Sequence, residues 1–251
     1  MFKPKTLLVV IVLVFALSFI KDRVGKIDSQ PSSCSVDEKR LQAEIDKNVG
    51  EKMAYDVKLG AISLGKSTFS QVPSAELNGK KLIVMVFETS LARFKDTETI
   101  YSDPQTFLPV RVERDIVNWF SQEKITEDYN QQDFTVTINK KKGGKTETLV
   151  IKKDGPIHNA ILLPQYIRRS AKLDAKETLV ANLPNRRYEI KLVSTEEIKV
   201  PAGTFKAYHF KSTPNQIDIW ISADDRKIPL KIQNNSLTLG YVMLLREYTP
   251  A

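Results

Sequence analysis

Few residues in this sequence are of types that perform chemistry unaided. There are two histidines, His158 and His209, and one cysteine, Cys34. His209 lies in Phe205-Lys206-Ala207-Tyr208-His209-Phe210, a strand pattern in which an imidazole is expected to pack or face solvent rather than act as base or ligand. His158 opens the segment His158–Arg169. A two-histidine metal site would need further ligands, and no pair of CxxC motifs supplies them; no metal and no cofactor are expected. Cys34 stands in a polar stretch that gives a thiol no fixed activating environment. Carboxylates remain. Glu113 and Asp115 share a strand face by the i,i+2 rule. Asp224-Asp225 lie between Ser222 and Arg226, where aspartate commonly caps a turn. Structural use is expected of both pairs. Two acids facing each other at about 5–9.5 Å across a cleft would instead permit glycoside hydrolysis. With no G-x-S-x-G elbow, H-E-x-x-H helix or glycine-rich phosphate loop, no catalytic residue is assigned and the protein is not expected to be an enzyme.

Composition narrows the partners. The chain has 251 residues, 41% hydrophobic and 27% charged, near globular averages. Its net charge of +8 comes from 38 Lys+Arg against 30 Asp+Glu. Lys3, Lys5, Lys21 and Arg23 against Asp22 give +3 of that within Met1–Arg23, which leaves a modest +5. No basic stripe with interleaved aromatics appears, so nucleic acid is not an expected partner. A single cysteine allows no intrachain disulfide, and a β domain of about 200 residues buries enough apolar surface without one.

Leu7–Ile20 carries no charge and follows Lys3 and Lys5, the pattern of an export signal. Two outcomes fit residues 1–20. Ala16-Leu17-Ser18 offers a cleavage site, whereas Lys21 and Arg23 favour retention as an inner-membrane anchor. Either places the folded part outside the cytoplasmic membrane, in a periplasmic or other extracytoplasmic space. Residues 21–35 read as a polar tether. Cys34 is separated from the apolar run by Lys21–Pro31 and is expected to be a bystander thiol rather than a lipidated one.

The elements that must position any site follow. Ser35 and Glu38 have capping-box spacing, and Leu41 and Ile45 lie at i,i+4, so Val36–Asn48 is expected to be a short amphipathic helix ended by Gly50. Residues 50–251 are expected to form one antiparallel β domain. Met53, Tyr55, Val57 and Leu59 alternate with polar or small residues. Leu82–Phe87 is an apolar run that suggests a strand covered on both faces. Further strands are expected at Ile62–Val72, Arg93–Tyr101, Val110–Val117, Lys124–Asn130, Phe134–Lys140, Thr146–Lys152, Arg187–Thr195, Thr204–Ser212, Gln216–Ser222, Lys227–Gln233 and Leu237–Tyr248. Lys140–Lys145 reads as a hairpin tip in which Gly143-Gly144 supplies the turn. His158–Arg169 breaks the rhythm and is expected to form one or two short helices, with Pro164 at a break or first turn, covering an open sheet mouth or edge.

Two stretches resemble a bacterial exported family known as domain of unknown function 3108. The first is Gly50–Gly65, with glycine-glutamate, an alternating Tyr-x-Val strand and glycines around a short apolar step. The second is Val200-Pro201-Ala202-Gly203-Thr204-Phe205, followed by Trp220-Ile221-Ser222-Ala223-Asp224-Asp225-Arg226-Lys227-Ile228-Pro229. The resemblance covers about Gly50–Tyr248. It implies no established activity and a fold similar to the half-barrels of lipoprotein carriers, in which a curved sheet holds an apolar ligand against helices.

The expected fold class is thus mainly β, a curved antiparallel sheet or half-barrel meander with a short helical insertion, greasy within and bare of reactive groups, plus an N-terminal hydrophobic helix. The expected function is a non-enzymatic envelope protein that binds a lipid, lipoprotein anchor or other apolar ligand. Tyr55, Phe87 and Trp220 are the candidate ligand-binding side chains. Trp220 lies opposite Ile217, Ile219 and Ile221, on a mixed face suited to a groove wall, a covered edge or the core. A scaffold that engages another envelope protein through the tether and the Val36–Asn48 helix is one alternative; a carboxylate-dependent glycan hydrolase is the other.

Overall fold

Fourteen strands and two short helices make up the computed structural model, which describes residues 38–169, 178–236 and 240–251. The apolar segment Leu7–Ile20, the tether and Cys34 lie outside the described residues, as does the start of the expected strand at Leu237. No helix among the described residues is long and apolar enough to cross a membrane.

Helix α1 (Glu38–Asp46) leads into β1 (Lys52–Leu59), β2 (Ile62–Leu77), β3 (Lys80–Leu91), β4 (Phe94–Ser102), β5 (Pro109–Asn118), β6 (Ser121–Asn130), β7 (Thr135–Lys142) and β8 (Lys145–Lys152). An irregular stretch and α2 (Leu163–Arg169) precede β9 (Thr178–Asn182), β10 (Arg187–Val200), β11 (Gly203–Thr213), β12 (Ile217–Ser222), β13 (Pro229–Asn234) and β14 (Val242–Thr249). All pairings are antiparallel, in the spatial order 8-7-6-5-4-3-2-1-14-13-12-11-10-9. The sheet is curved and unclosed, with β8 and β9 as its edges. Register shifts supply local bends. One falls between Val72 and Ala75, where Pro73 lacks the N–H a regular ladder requires. Another, between Trp220 and Ile221, brings in Pro229.

Leu82, Ile83, Val84 and Met85 are all buried, so this part of β3 is covered on both faces. The Gly143-Gly144 turn has φ of 56° and 78°, as its tip position requires. Strand β9 has no counterpart among the expected strands. The insertion holds one helix, with Pro164 in its first turn. His158 precedes that helix in an irregular stretch, and its ring stands edge-on to Tyr166 at 5.0 Å.

Residues 157–167 pack on the inner face of the sheet. Ile157, Leu162, Leu163 and Ile167 are almost fully buried and join the main core with Met53, Met85, Ile100, Ile219 and Leu245. Each such side chain contributes roughly 1.5–3 kcal/mol. Polar contacts fix the insertion in place. Asn159 Oδ1 accepts from the backbone N–H of Ile161 at 2.8 Å, which caps the approach to α2. Arg168 grips Glu51 with both Nη atoms at 2.6 Å, and Tyr248 Oη donates to the same carboxylate at 2.8 Å. Arg169 pairs with Glu44 of α1. The insertion, both chain-terminal strands and α1 are therefore joined at one end of the sheet.

Gly65 illustrates how closely neighbouring strands approach. Its φ is +153°, and a Cβ there would lie 2.1 Å from the Ser90 carbonyl oxygen. Gly65→Ala is expected to cost about 2 kcal/mol through backbone displacement, read as a lowered urea midpoint at unchanged slope.

Candidate functional groove

The inner face leaves space beside the insertion. Two lobes abut at Phe87, Ile161, Tyr241 and Met243, which line both. The first lobe encloses about 690 Å³ including its open mouth, with Tyr55, Phe69, Leu163, Ile217, Ile219 and Ile232 on its walls. The second encloses about 730 Å³ on the same basis, among Val57, Leu59, Leu64, Leu91 and Phe94. Strand parity explains this lining. Val57, Phe69, Phe87 and Phe94 on β1–β4 and Ile219, Ile232 and Met243 on β12–β14 project onto the face that the insertion meets.

Of the three aromatics singled out in the sequence, Tyr55 and Phe87 are on this lining. Tyr55 is fully buried and donates to the Pro229 carbonyl at 3.0 Å. Trp220 does not line the groove. It points to the opposite face, where His209 stacks on it at 4.0 Å and Lys231 Nζ lies over its ring at 4.0 Å. Its indole N–H donates to Glu196 at 2.6 Å. Burial holds the His209 imidazole below its usual range. Glu113 and Asp115 lie on the outer face, taken up by Arg111 and Gln122. Asp224 accepts from Ser222 and Arg226 within its turn.

The inner face is not free of reactive groups. Asp96, Glu98 and Arg114 sit in the wall of the second lobe. Arg114 Nε contacts both Asp96 oxygens, at 2.9 and 3.1 Å, and Nη2 binds one of them as well. Glu98 Oε2 lies 3.7 Å from Arg114 Nε, while its Oε1 accepts from Asn159 at 3.1 Å. Burial raises the Glu98 carboxyl to about 7, against the pull of Arg114 and with a push from Glu127 and Asp96. Glu127 is raised as well by burial, and Tyr129 donates to it. The parity signal for this cluster exists in the sequence: Phe94, Asp96, Glu98 and Ile100 share one face, and so do Val112, Arg114 and Ile116. Among the described residues no group of three or more His, Cys, Asp or Glu has the placement to hold a metal ion.

A curved, unclosed antiparallel sheet wrapped over an inserted helix, with an apolar groove between them, defines a β-barrel-like class of protein. The profile of the family described as "Protein of unknown function (DUF3108)" matches residues 54–246, and the chain belongs to that family. Among solved structures, a β-barrel-like protein of domain of unknown function DUF1849 from Brucella abortus aligns with TM-score 0.50 at 10% identity. The alignment covers 80% of this chain and 97% of that one, a likeness of fold alone. A Bacteroides fragilis protein, provisionally described as exported and YmcC-like in fold, aligns at TM-score 0.28 and 11% identity over 80% and 96% of the chains. A provisionally described lipoprotein from Parabacteroides distasonis gives 0.29 and 9% over 80% and 95%. Neither value is high enough to carry an argument. No curated protein matches the chain.

Proposed function

We propose that this is a non-enzymatic protein of the bacterial cell envelope that holds one apolar or amphipathic ligand, an acyl chain or lipoprotein anchor, in the groove of its sheet. The two-lobed groove carries the reading. Its walls are aliphatic and aromatic over most of their length, with a few polar groups at one place, the kind of lining that small-molecule sites have. The basic-flanked apolar run at Leu7–Ile20 supports the location. The Asp96–Glu98–Arg114 patch would face the more polar part of an amphipathic ligand.

The test is displacement of a dansyl-labelled fatty acid. Ile161 borders both lobes, so Ile161→Trp fills their junction and is expected to weaken dye binding about tenfold or more, equivalent to about 1.4 kcal/mol, with an unchanged far-UV spectrum. Equal affinity in the two proteins would remove the groove from consideration.

A second reading, a carboxylate-dependent glycan hydrolase, draws on the convergence of Asp96 and Glu98. Against it, the Arg114 guanidinium engages both oxygens of Asp96, the arrangement of a structural ion pair rather than a free nucleophile or base. Glu98→Gln separates the two readings, because it would abolish hydrolysis but leave binding of the fatty-acid dye intact.

A further inference from the structure

In an all-antiparallel sheet, alternate turns fall at the same end. Four hairpin turns of the β1–β8 meander therefore share one end: those at Gly60-Ala61, Ala92-Arg93, Trp119-Phe120 and Gly143-Gly144. The pairing of Lys58 with Val242 places the start of β14 at that end too. Two properties set this end apart. Phe120 is 82% exposed, Trp119 51% and Ile62 63%, all beside these turns. Within residues 58–63, 90–95, 117–122 and 141–146 there are six cations, Lys58, Arg93, Lys95, Lys141, Lys142 and Lys145, and no carboxylate. Lys95 pairs with Glu88 on the neighbouring strand, and Lys142 pairs with Glu123 directly across the β6–β7 ladder. The Arg93 guanidinium lies over the Trp119 ring. The opposite end differs, since Asp103, Asp133, Asp224 and Asp225 stand in its turns.

We propose that this end docks on an anionic phospholipid surface, with Trp119 and Phe120 as the inserting residues. Indole and phenyl rings prefer the interface between headgroups and acyl chains. Lysines and arginines around them gain from the negative surface potential, and the attraction decays within a Debye length. A tip with exposed aromatic rings and an excess of cations fits a lipid surface on each count; the acid nearest to it, Glu123, is buried between Lys140 and Lys142. An exposed aromatic pair without the cations would leave the partner open. The second lobe of the groove reaches this rim through Leu59, Leu64, Leu91 and Phe94, which flank the β1–β2 and β3–β4 turns. The docking assignment stands whether or not the groove holds a ligand.

Trp119 and Trp220 are the two tryptophans of the chain, and Trp220 is buried. The full chain is combined with vesicles of brominated phosphatidylcholine alone, or of equal parts brominated phosphatidylcholine and phosphatidylglycerol. The fluorescence lost in Trp119→Phe gives the Trp119 contribution, and the Trp220 signal reports that the fold is intact. Anionic vesicles are expected to quench Trp119 about twofold or more and shield it from acrylamide. Lys141→Glu combined with Lys145→Glu should abolish that quenching, as should raised salt. Trp119 remaining open to acrylamide in both vesicles would overturn the proposal. Equal quenching in neutral vesicles would overturn the anionic assignment, and shielding only on addition of envelope proteins would assign the tip to a protein instead.

Discussion

An Arg114→Met chain is expected to be less stable than the parent by about 3–5 kcal/mol, the range for removing one partner of a buried ion pair. For a domain of this size that amounts to a thermal midpoint lower by on the order of 10 °C. Arg114 and Asp96 are each only 13% exposed at the side chain. The guanidinium lies within reach of three buried or half-buried acids, Asp96, Glu98 and Glu127. Without it the carboxylates of the second lobe would face one another across an apolar wall. Adding Asp96→Asn and Glu98→Gln to the same chain should restore much of the loss, because fewer unpaired charges then need solvent. A thermal melt of the three proteins decides the matter; an unchanged midpoint in Arg114→Met would mean that water already solvates this part of the groove.

Glu98 is expected to make stability fall as pH rises. Folding lifts its carboxyl from the ordinary 4.5 to about 7, mainly through burial. The native state therefore holds that proton more tightly than the unfolded chain does. The stabilisation is fully present below about pH 4.5, declines as pH rises, and is lost above about 7. A displacement of this size corresponds to about 3 kcal/mol, and water in the open lobe would trim it. Glu98→Gln keeps the shape and accepts from Asn159, but has no proton to lose. The variant should match the parent near pH 4.5 and exceed it by about 2–3 kcal/mol near pH 8, as read from urea midpoints. A difference independent of pH would contradict the assignment.

Strands are legible in this sequence where period-two alternation is strong. Met53-Ala54-Tyr55-Asp56-Val57 shows it, and so does Ile217–Ser222, each bounded by turn residues. Thr178–Asn182 escapes because five residues hold too few alternations, and its β character depends on pairing with β10. The helix is visible around Pro164 but begins later than His158, because Asn159 and the backbone bond from His158 N to Asn182 O keep the preceding stretch irregular. The groove was legible in part. Parity places Tyr55 and Phe87 inward; the same rule, applied from Ile217 and Ile219, sends Trp220 outward. The acidic cluster needed a step that local pattern alone does not prompt. On three adjacent strands charged residues take inward places on an otherwise apolar face: Asp96 and Glu98 between Phe94 and Ile100 on β4, Arg114 on β5, Glu127 on β6. Alternation tolerates each singly; only the pairing of Glu98 with Arg114 makes them one patch.

The first and last strands lie side by side in the middle of the sheet, Lys52 opposite Thr249. Every other ladder joins strands that follow one another along the chain, apart from the unpaired step between β8 and β9. A polypeptide delivered N-terminus first can zip its first eight strands from local hairpins, yet β1 keeps a row of vacant N–H and C=O groups until the final eight-residue strand arrives. Val242–Thr249 acts as a fastener between two half-sheets. A bare edge of this kind invites pairing with a neighbouring chain, so the hazard persists through synthesis and ends only when the last strand is seated.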